Sequence, residues 1–544
     1  MKSRLFARDL LLTAVSLALL GAPRLFADDQ EEGGMRRVLL ISIDGMHALD
    51  FQNCAHGIGG LAPYCPNMAA LAGTGVNYTL ASTSKPSDSF PGIVALVAGA
   101  TPRSAGVYYD VSYTRELSPP GSKCATTGTD VVYDETIDIN TNLLNGGGGI
   151  DPAKLPLDPA HGCVPVYPRN FIRVNTIFGV AHAAGLYTAW SDKHPAYDIV
   201  RGATPLGAAN NSVNDLNSPE INSLVVPVNP NVPDASFPNC MAPDTTDTSA
   251  WTTSFQNIKC YDLLKVRILL NEIDGKKSDA SGPAPVPAIF GMNFQAVSVG
   301  QKLIDSHTPA VRGGYVDPLI DPLGALGKPG DALLGEIRFV DTAIGKLVAE
   351  LKAKGLYDST TIIISAKHGQ SPIDFQRLNK INTSTGRPTK LLNSLTAGNS
   401  EDDVSILWLN HSADTNLAVS TLEAHAADVQ FDTIFAGPSM KLLFGDPAVD
   451  PRVPDVVVQP RVGVIYTGSG SKIAEHGGFA EDDTHVMLLV TSSKMPAGTV
   501  TSPVETAQVA PTILKLLGLD PNQLKAVQLE GTQVLPGLKF GGDQ

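Results

Sequence analysis

Residues 361–370 read Thr-Ile-Ile-Ile-Ser-Ala-Lys-His-Gly-Gln, an apolar, largely β-branched run that breaks at once into Lys367, His368 and Gly369. Such a run describes a buried central strand entering its loop. Ligands of open α/β sheets bind just outside the carboxyl ends of strands like this one. The segment therefore sets an α/β reading and marks where a site should lie. It also puts a lysine, and no metal-binding acid, beside the histidine.

Working outward, Leu333–Lys354 carries Ile337, Val340, Ile344, Leu347 and Leu351 at spacings of three and four, a helix that Gly355 stops. Arg37–Ile43 (RVLLISI) reads as another buried strand, ending in Asp44-Gly45-Met46. Short helices are expected over Pro66–Ala72 and over Pro91–Ala98, the latter directly after Ser89-Phe90. Further strands are expected at Tyr187–Trp190, Ala288–Phe294, Val404–Leu409 and His485–Val490, with a helix over Leu417–Ala427. A last helix, Glu505–Leu517, meets an αL stop at Gly518. The Gly-, Pro- and Asn-rich stretches Tyr108–Arg169 and Gly202–Pro287 read as surface excursions. The implied organisation is a signal peptide over 1–27, a discontinuous core over 28–374 and 471–544, and a smaller inserted α+β lid over 375–470.

The first residues have the pattern of an exported precursor. Lys2, Arg4 and Arg8 precede the apolar stretch Leu10–Ala22, and small residues near Ala27 could close a cleavage site before Asp28. An uncleaved membrane anchor is the rival reading, and no later segment is long and apolar enough to span a bilayer. Six cysteines, an even number, suit an oxidising compartment. Their order suggests the local pairs 54–65, 124–163 and 240–260, and none forms a Cys-x-x-Cys pair. A net charge of −14 argues against binding to nucleic-acid polymers.

Four residues fall where strands end or helices begin: Asp44, Ser89, His368 and His476. Ser89 stands in an N-cap-like position before Pro91 and an apolar helix, which would aim helix amides at its hydroxyl. That geometry suits an attacking alkoxide and an anionic phosphoryl group. The carboxylate and two imidazoles are ligand types that Zn²⁺ or Mn²⁺ accept. Each residue also has an ordinary explanation as a turn aspartate, a helix cap or a hydrogen-bonding histidine. Asp482-Asp483 reads as a surface turn.

The segments LLISIDGM, SFPGIVALVAGATPRSAGV, GLYDSTTIIISAKHG, AEHGGFAEDDTHVMLLV and ETAQVAPTILKLLGL, in this order, resemble the alkaline phosphatase superfamily. The likeness is greatest to its type I phosphodiesterase/nucleotide pyrophosphatase and phosphonoacetate hydrolase branch. The resemblance implies a central, mostly parallel sheet flanked by helices, a nucleophile at Ser89, and metal ligands at Asp44, His368 and His476. It also implies a substrate-binding lysine at Lys193, in Trp-Ser-Asp-Lys-His, where Asp192 or His194 could replace a missing ligand. The chain departs from the family at Lys367, where an acid is expected. It departs again in MNFQAVSVGQK, where the expected Asp-x-x-x-His is absent and Asn293, Gln295 and Gln301 are neutral. At most one divalent cation, or none, is expected, with Lys367 acting as a built-in cation. The function implied is an exported hydrolase of phosphate diesters, pyrophosphates or related small anionic esters. A sulfatase-like or phosphonate hydrolase and a noncatalytic anion-binding member are the alternatives.

Overall fold

The computed structural model describes residues 35–227, 234–237, 240, 251–305 and 311–540, which belong to one compact unit, Met35–Gln544. The expected signal peptide lies outside the described residues. In chain order the elements that position the site are β1 (Arg37–Ile43), β2 (Gly75–Tyr78), α1 (Ser89–Ala98), α2 (Phe255–Ile273), β3 (Ile289–Phe294), α3 (Ala296–Lys302), α4 (Asp331–Ala353) and β4 (Thr360–Ser365). They continue with β5 (Thr396–Glu401), β6 (Ser405–Leu409), β7 (Phe431–Ala436), β8 (Val456–Pro460), β9 (Leu489–Thr491), β10 (Gly498–Val500) and α5 (Val509–Leu516).

The central sheet has the order β3-β1-β4-β9-β2-β10. Strand β1 pairs in parallel with both β3 and β4, whereas β9 runs antiparallel to β4 and β2. Alternate residues of these strands feed two cores, as the period of two requires. Val38, Leu40 and Ile363 pack with Ile93, Val94 and Val97 of α1 and with α5 on one face. Leu39, Ile41, Ile43, Ile362 and Ile364 pack with Ile337, Val340, Ile344 and Leu347 of α4 on the other. Because both faces are covered, the central strands are apolar throughout and do not alternate. The α/β architecture is thus the one expected, with an antiparallel strand, β9, inside an otherwise parallel core.

A second sheet, β5-β6-β8-β7, is antiparallel and has its own apolar cluster around Leu407, Leu409, Val456 and Val458. The three disulfides are Cys54–Cys65, Cys124–Cys163 and Cys240–Cys260, the pairs that sequence order suggested. Gly202–Pro287 is no mere surface excursion. It contains α2, a helix of 19 residues whose Ile258, Val266, Leu269 and Ile273 are buried in the α4-side core. Helix Leu417–Ala427 is instead split into Thr415–Ala424 and Ala426–Val429, and the late strand begins at Leu489, after buried Val486–Leu488, where Val486 makes only an isolated bridge with His47.

Candidate active site

The carboxyl ends of β1, β3 and β4 are adjacent, so Asp44, Asn293 and Lys367-His368 meet at one edge of the sheet. The loop carrying Asp44 is tied down by Asp44 N–H donating to the Phe294 carbonyl (3.0 Å) and Gly45 N–H donating to the His368 carbonyl (3.0 Å). Helix α1 reaches the same edge because residue 92 is glycine. A Cβ there would come well inside contact distance of the Lys367 carbonyl oxygen. His476 arrives by a third route: Gly477 N–H donates to the Ser87 carbonyl (2.8 Å) and Ser87 N–H to the Gly478 carbonyl (3.1 Å).

Ser89 is the first residue of α1 and not its cap, as the sequence suggested. Asp88 is the cap: its backbone is extended, and its carboxylate accepts from Phe90 N–H at 3.1 Å. A carboxylate at this place is better matched to the positive helix end than a hydroxyl, which leaves Ser89 free. Lys193 takes that hydroxyl, its Nζ donating to Ser89 Oγ at 3.0 Å.

Asp44 is fully buried and surrounded by donors. Asn293 Nδ2 donates to Oδ1 (2.7 Å) and Gln295 Nε2 to Oδ2 (2.6 Å). Around Oδ2 also stand His368 Nε2 at 3.4 Å, Lys367 Nζ at 3.5 Å and Lys193 Nζ at 4.0 Å. Burial alone would raise this carboxyl, but Lys367, His368 and Lys193 hold it well below the usual carboxylate range. Lys367 is locked in turn. Its Nζ donates to Asp192 Oδ1 (3.2 Å) and Tyr197 OH (2.8 Å) and lies 4.4 Å from the Tyr197 ring centre. Burial pushes Lys367 down and Asp192 up, each opposed by the other. Burial also lowers Lys193, but Asp44, Glu135 and Asp192 raise it further.

The two histidines lie together, ring centres 4.0 Å apart and planes 35° apart. His476 Nδ1 is 3.3 Å from Asp88 Oδ1. Burial and neighbouring His368 push His476 down to about 3, against the pull of Asp88. Of the expected site residues, Asp44, Ser89, Lys193, Lys367 and His368 form one cluster, and His476 joins it through His368 and Asp88. His194 turns away, tilted against Phe90, edge-on to Tyr197 and 3.9 Å from Glu135. Asp192 is engaged by Lys367. Sequence reasoning missed Asp88 and Tyr197, and it misplaced Asp483, which is wholly buried. A cavity of about 630 Å³, lined among others by Phe51, Tyr78, Val462 and Met487, contains none of these site residues and is not the place of this chemistry.

A divalent metal fits the site poorly. Among the described residues no group of three or more His, Cys, Asp or Glu side chains is placed to hold one. An ion on Asp44 would meet two ammoniums, and each ammonium at 4 Å opposes a doubly charged ion by about 8 kcal/mol at an effective dielectric near 20. His368 Nε2, His476 Nδ1 and Asp88 Oδ1 are buried without hydrogen-bond partners. However, these side chains are not grouped so that they could hold one ion among the described residues. The donor set is rich in cations and amides, a better match for an anion.

An α/β scaffold with a serine at a helix end, polar side chains at three strand ends and a lysine pair beside them has the build of an alkaline-phosphatase-like protein. The sequence profile of the type I phosphodiesterase / nucleotide pyrophosphatase family matches residues 38–155 and 320–480, and the chain belongs to that family. Members of the family are zinc metalloenzymes. No curated protein matches in sequence. Among solved structures, murine ectonucleotide pyrophosphatase / phosphodiesterase 5 is similar at 14% identity and TM-score 0.51, over 89% of this chain and 96% of that one. Its inactive T72A variant in complex with AMP is similar at 14% identity and TM-score 0.50, with the same coverage. Wild-type alkaline phosphatase PafA is similar at 11% identity and TM-score 0.57, over 90% of this chain and 96% of that one. These structures share the fold. By family the chain is a hydrolase of the phosphodiesterase/pyrophosphatase type.

Proposed function

We propose that the chain is an exported hydrolase of phosphate diesters, pyrophosphates or related anionic esters, with Ser89 as its nucleophile. The observation that carries this reading is the 3.0 Å hydrogen bond from Lys193 Nζ to Ser89 Oγ at the amino end of α1. An ammonium in that place stabilises a developing alkoxide and then a phosphoryl oxygen. Ser89 Oγ bonds to phosphorus as the bond to the leaving oxygen breaks. The Ser89 proton passes to that oxygen as it leaves. Water then attacks phosphorus, the Oγ–P bond breaks, and a proton returns to Ser89.

Charge points to the substrate. Lys193 and Lys367 are two monovalent cations already shared with Asp44 and Asp192, so the site suits one negative charge better than two. A diester carries one and a monoester two near neutral pH. The AMP complex of the murine enzyme makes nucleotide diesters and pyrophosphates the first class to test. Export is supported by three disulfides and by the pattern of the first residues. Residues 375–470 act as a lid in this reading, since they reach the site where Asp403 N–H donates to the His476 carbonyl at 3.3 Å.

The test is hydrolysis of bis-(p-nitrophenyl) phosphate by the wild type and by Ser89→Ala. Turnover that falls about 10³-fold or more on removal of the hydroxyl supports the reading. Equal turnover in both proteins refutes it. Anion affinity with no turnover in either favours the noncatalytic alternative, in which Asp44 serves only to hold the two lysines.

A further inference from the structure

Resting on the Ser89 reading above, we infer that Lys193 and Lys367 do the work of a divalent cation at Asp44, so that the centre keeps no resident zinc or manganese. The geometry is specific. Asp44 Oδ2, the oxygen an ion would need, already accepts from Gln295 Nε2 at 2.6 Å and has the two ammoniums at 3.5 and 4.0 Å. Its other oxygen accepts from Asn293.

Lys367 is not free to withdraw for a metal. Asp192, Tyr197 OH and the Tyr197 ring fix its end, and the contact of its carbonyl with Gly92 fixes its backbone. Each of these partners suits an ammonium. Asp192 accepts, the hydroxyl oxygen of Tyr197 accepts, and the ring face attracts a cation. A side chain that merely filled a vacated ligand position would not need all three. Lys193 is held less tightly and is partly exposed, with its ammonium on Ser89. The pair therefore divides the labour: Lys367 sets the field at Asp44, and Lys193 meets the phosphoryl oxygen.

The deciding measurement is the metal content of the full chain after expression with added zinc and manganese, with Zn²⁺ titration by calorimetry. It needs no turnover, so it judges this inference even if the Ser89 reading fails. We expect the wild type to carry only traces of metal and to show no Zn²⁺ binding that depends on Asp44 or His476. We expect Lys367→Asp, which sets a new carboxylate among Asp44, Asp192 and His368, to take up Zn²⁺ with about one-to-one stoichiometry, as four N/O ligands permit. If that variant does not fold, the wild-type result still decides. Stoichiometric metal in the wild type, lost in Asp44→Asn or in His476→Ala, overturns the inference. Metal retained in both variants lies elsewhere and leaves it standing. Where diester turnover is present, it should be unchanged by a chelator, and loss of turnover restored by zinc would count against the lysine pair.

Discussion

Two buried carboxyl sites lie on either side of His476, and their electrostatics are opposite. On its side-chain side, Asp44 is enclosed by Lys367, Lys193, His368 and two amide donors, and its pKa is held down. On its backbone side the turn between β5 and β6 brings Asp402 and Asp403 onto the His476-Gly477-Gly478 segment. Asp403 N–H donates to the His476 carbonyl at 3.3 Å, Tyr109 OH lies 3.1 Å from that same oxygen, and Asp483 accepts from Gly478 N–H. There acids face acids. Burial first, then Asp483 and Asp482, push Asp403 well up; burial, then Glu475, pushes Asp402 up to about 8; Asp483 is raised as well. Both regions hide carboxyls from water. One is built to keep the charge and the other to keep the proton.

The sharpest break of that contrast is the same change made in each region. Asp44→Asn removes one negative charge, leaving buried Lys367 with Asp192 alone and Lys193 without its nearest carboxylate. Breaking a buried ion pair on one side costs about 3–5 kcal/mol. The expected result is a clearly lower melting temperature, together with loss of diester turnover. A variant as stable as the wild type would show that the lysines are not paired to Asp44 in solution.

Lys193→Met comes next. It takes away the ammonium on Ser89 but leaves Lys367 to hold Asp44. Removing a single oxyanion donor lowers kcat by roughly 10²–10³-fold. The melting temperature should move far less than in Asp44→Asn, because Lys193 is partly exposed. Lys193→Arg keeps the charge and should recover part of the rate. A rise in KM alone, with kcat intact, would reduce Lys193 to substrate capture.

Gly92→Ala tests how the cation-rich region is assembled. The added methyl would strike the Lys367 carbonyl, so α1 must shift away from the β4 loop. Overpacking of this kind costs about 1–3 kcal/mol. Turnover should fall more steeply than stability, since Ser89 and Lys193 separate before the core does. Equal turnover in Gly92→Ala and wild type would mean that the α1 contact is not needed for alignment.

How much of this was legible before the structure follows from the same physics. Strands β1 and β4 are covered on both faces, so they appear as unbroken apolar runs, and the polar residues at their ends mark the site. Asp44, Lys367 and His368 were named from such positions, Ser89 from the start of a helix and Lys193 from the family resemblance. Helix α2 was missed because Pro- and Asn-rich flanks masked it, although Ile258, Val266, Leu269 and Ile273 have helical spacing. Asp88 was passed over for the serine beside it, where a carboxylate is the stronger acceptor of helix amides. Tyr197 gave no local signal, since its partner Lys367 is 170 residues away. Asp483 read as a surface residue because a pair of adjacent acids normally is one; only the packing of the second sheet against Gly478 shows that it is buried.

The smallest effect belongs to that acid-rich junction, and its sign is the informative part. A carboxyl whose pKa is raised on folding binds its proton more tightly in the native state than in the unfolded chain. Stability is then greatest below the ordinary carboxyl range near 4 and falls as pH rises toward about 8, where Asp402 gives up its proton. Asp403→Asn removes one of the crowded acids while keeping a side chain of the same shape. It should gain about 1–2 °C in melting temperature at pH 8, and nothing at pH 4, where Asp403 is already neutral. The same substitution at Asp44 has the opposite sign at neutral pH. If Asp403→Asn is destabilising at pH 8, Asp403 is ionised and held by a partner there, and the two regions obey the same electrostatics after all.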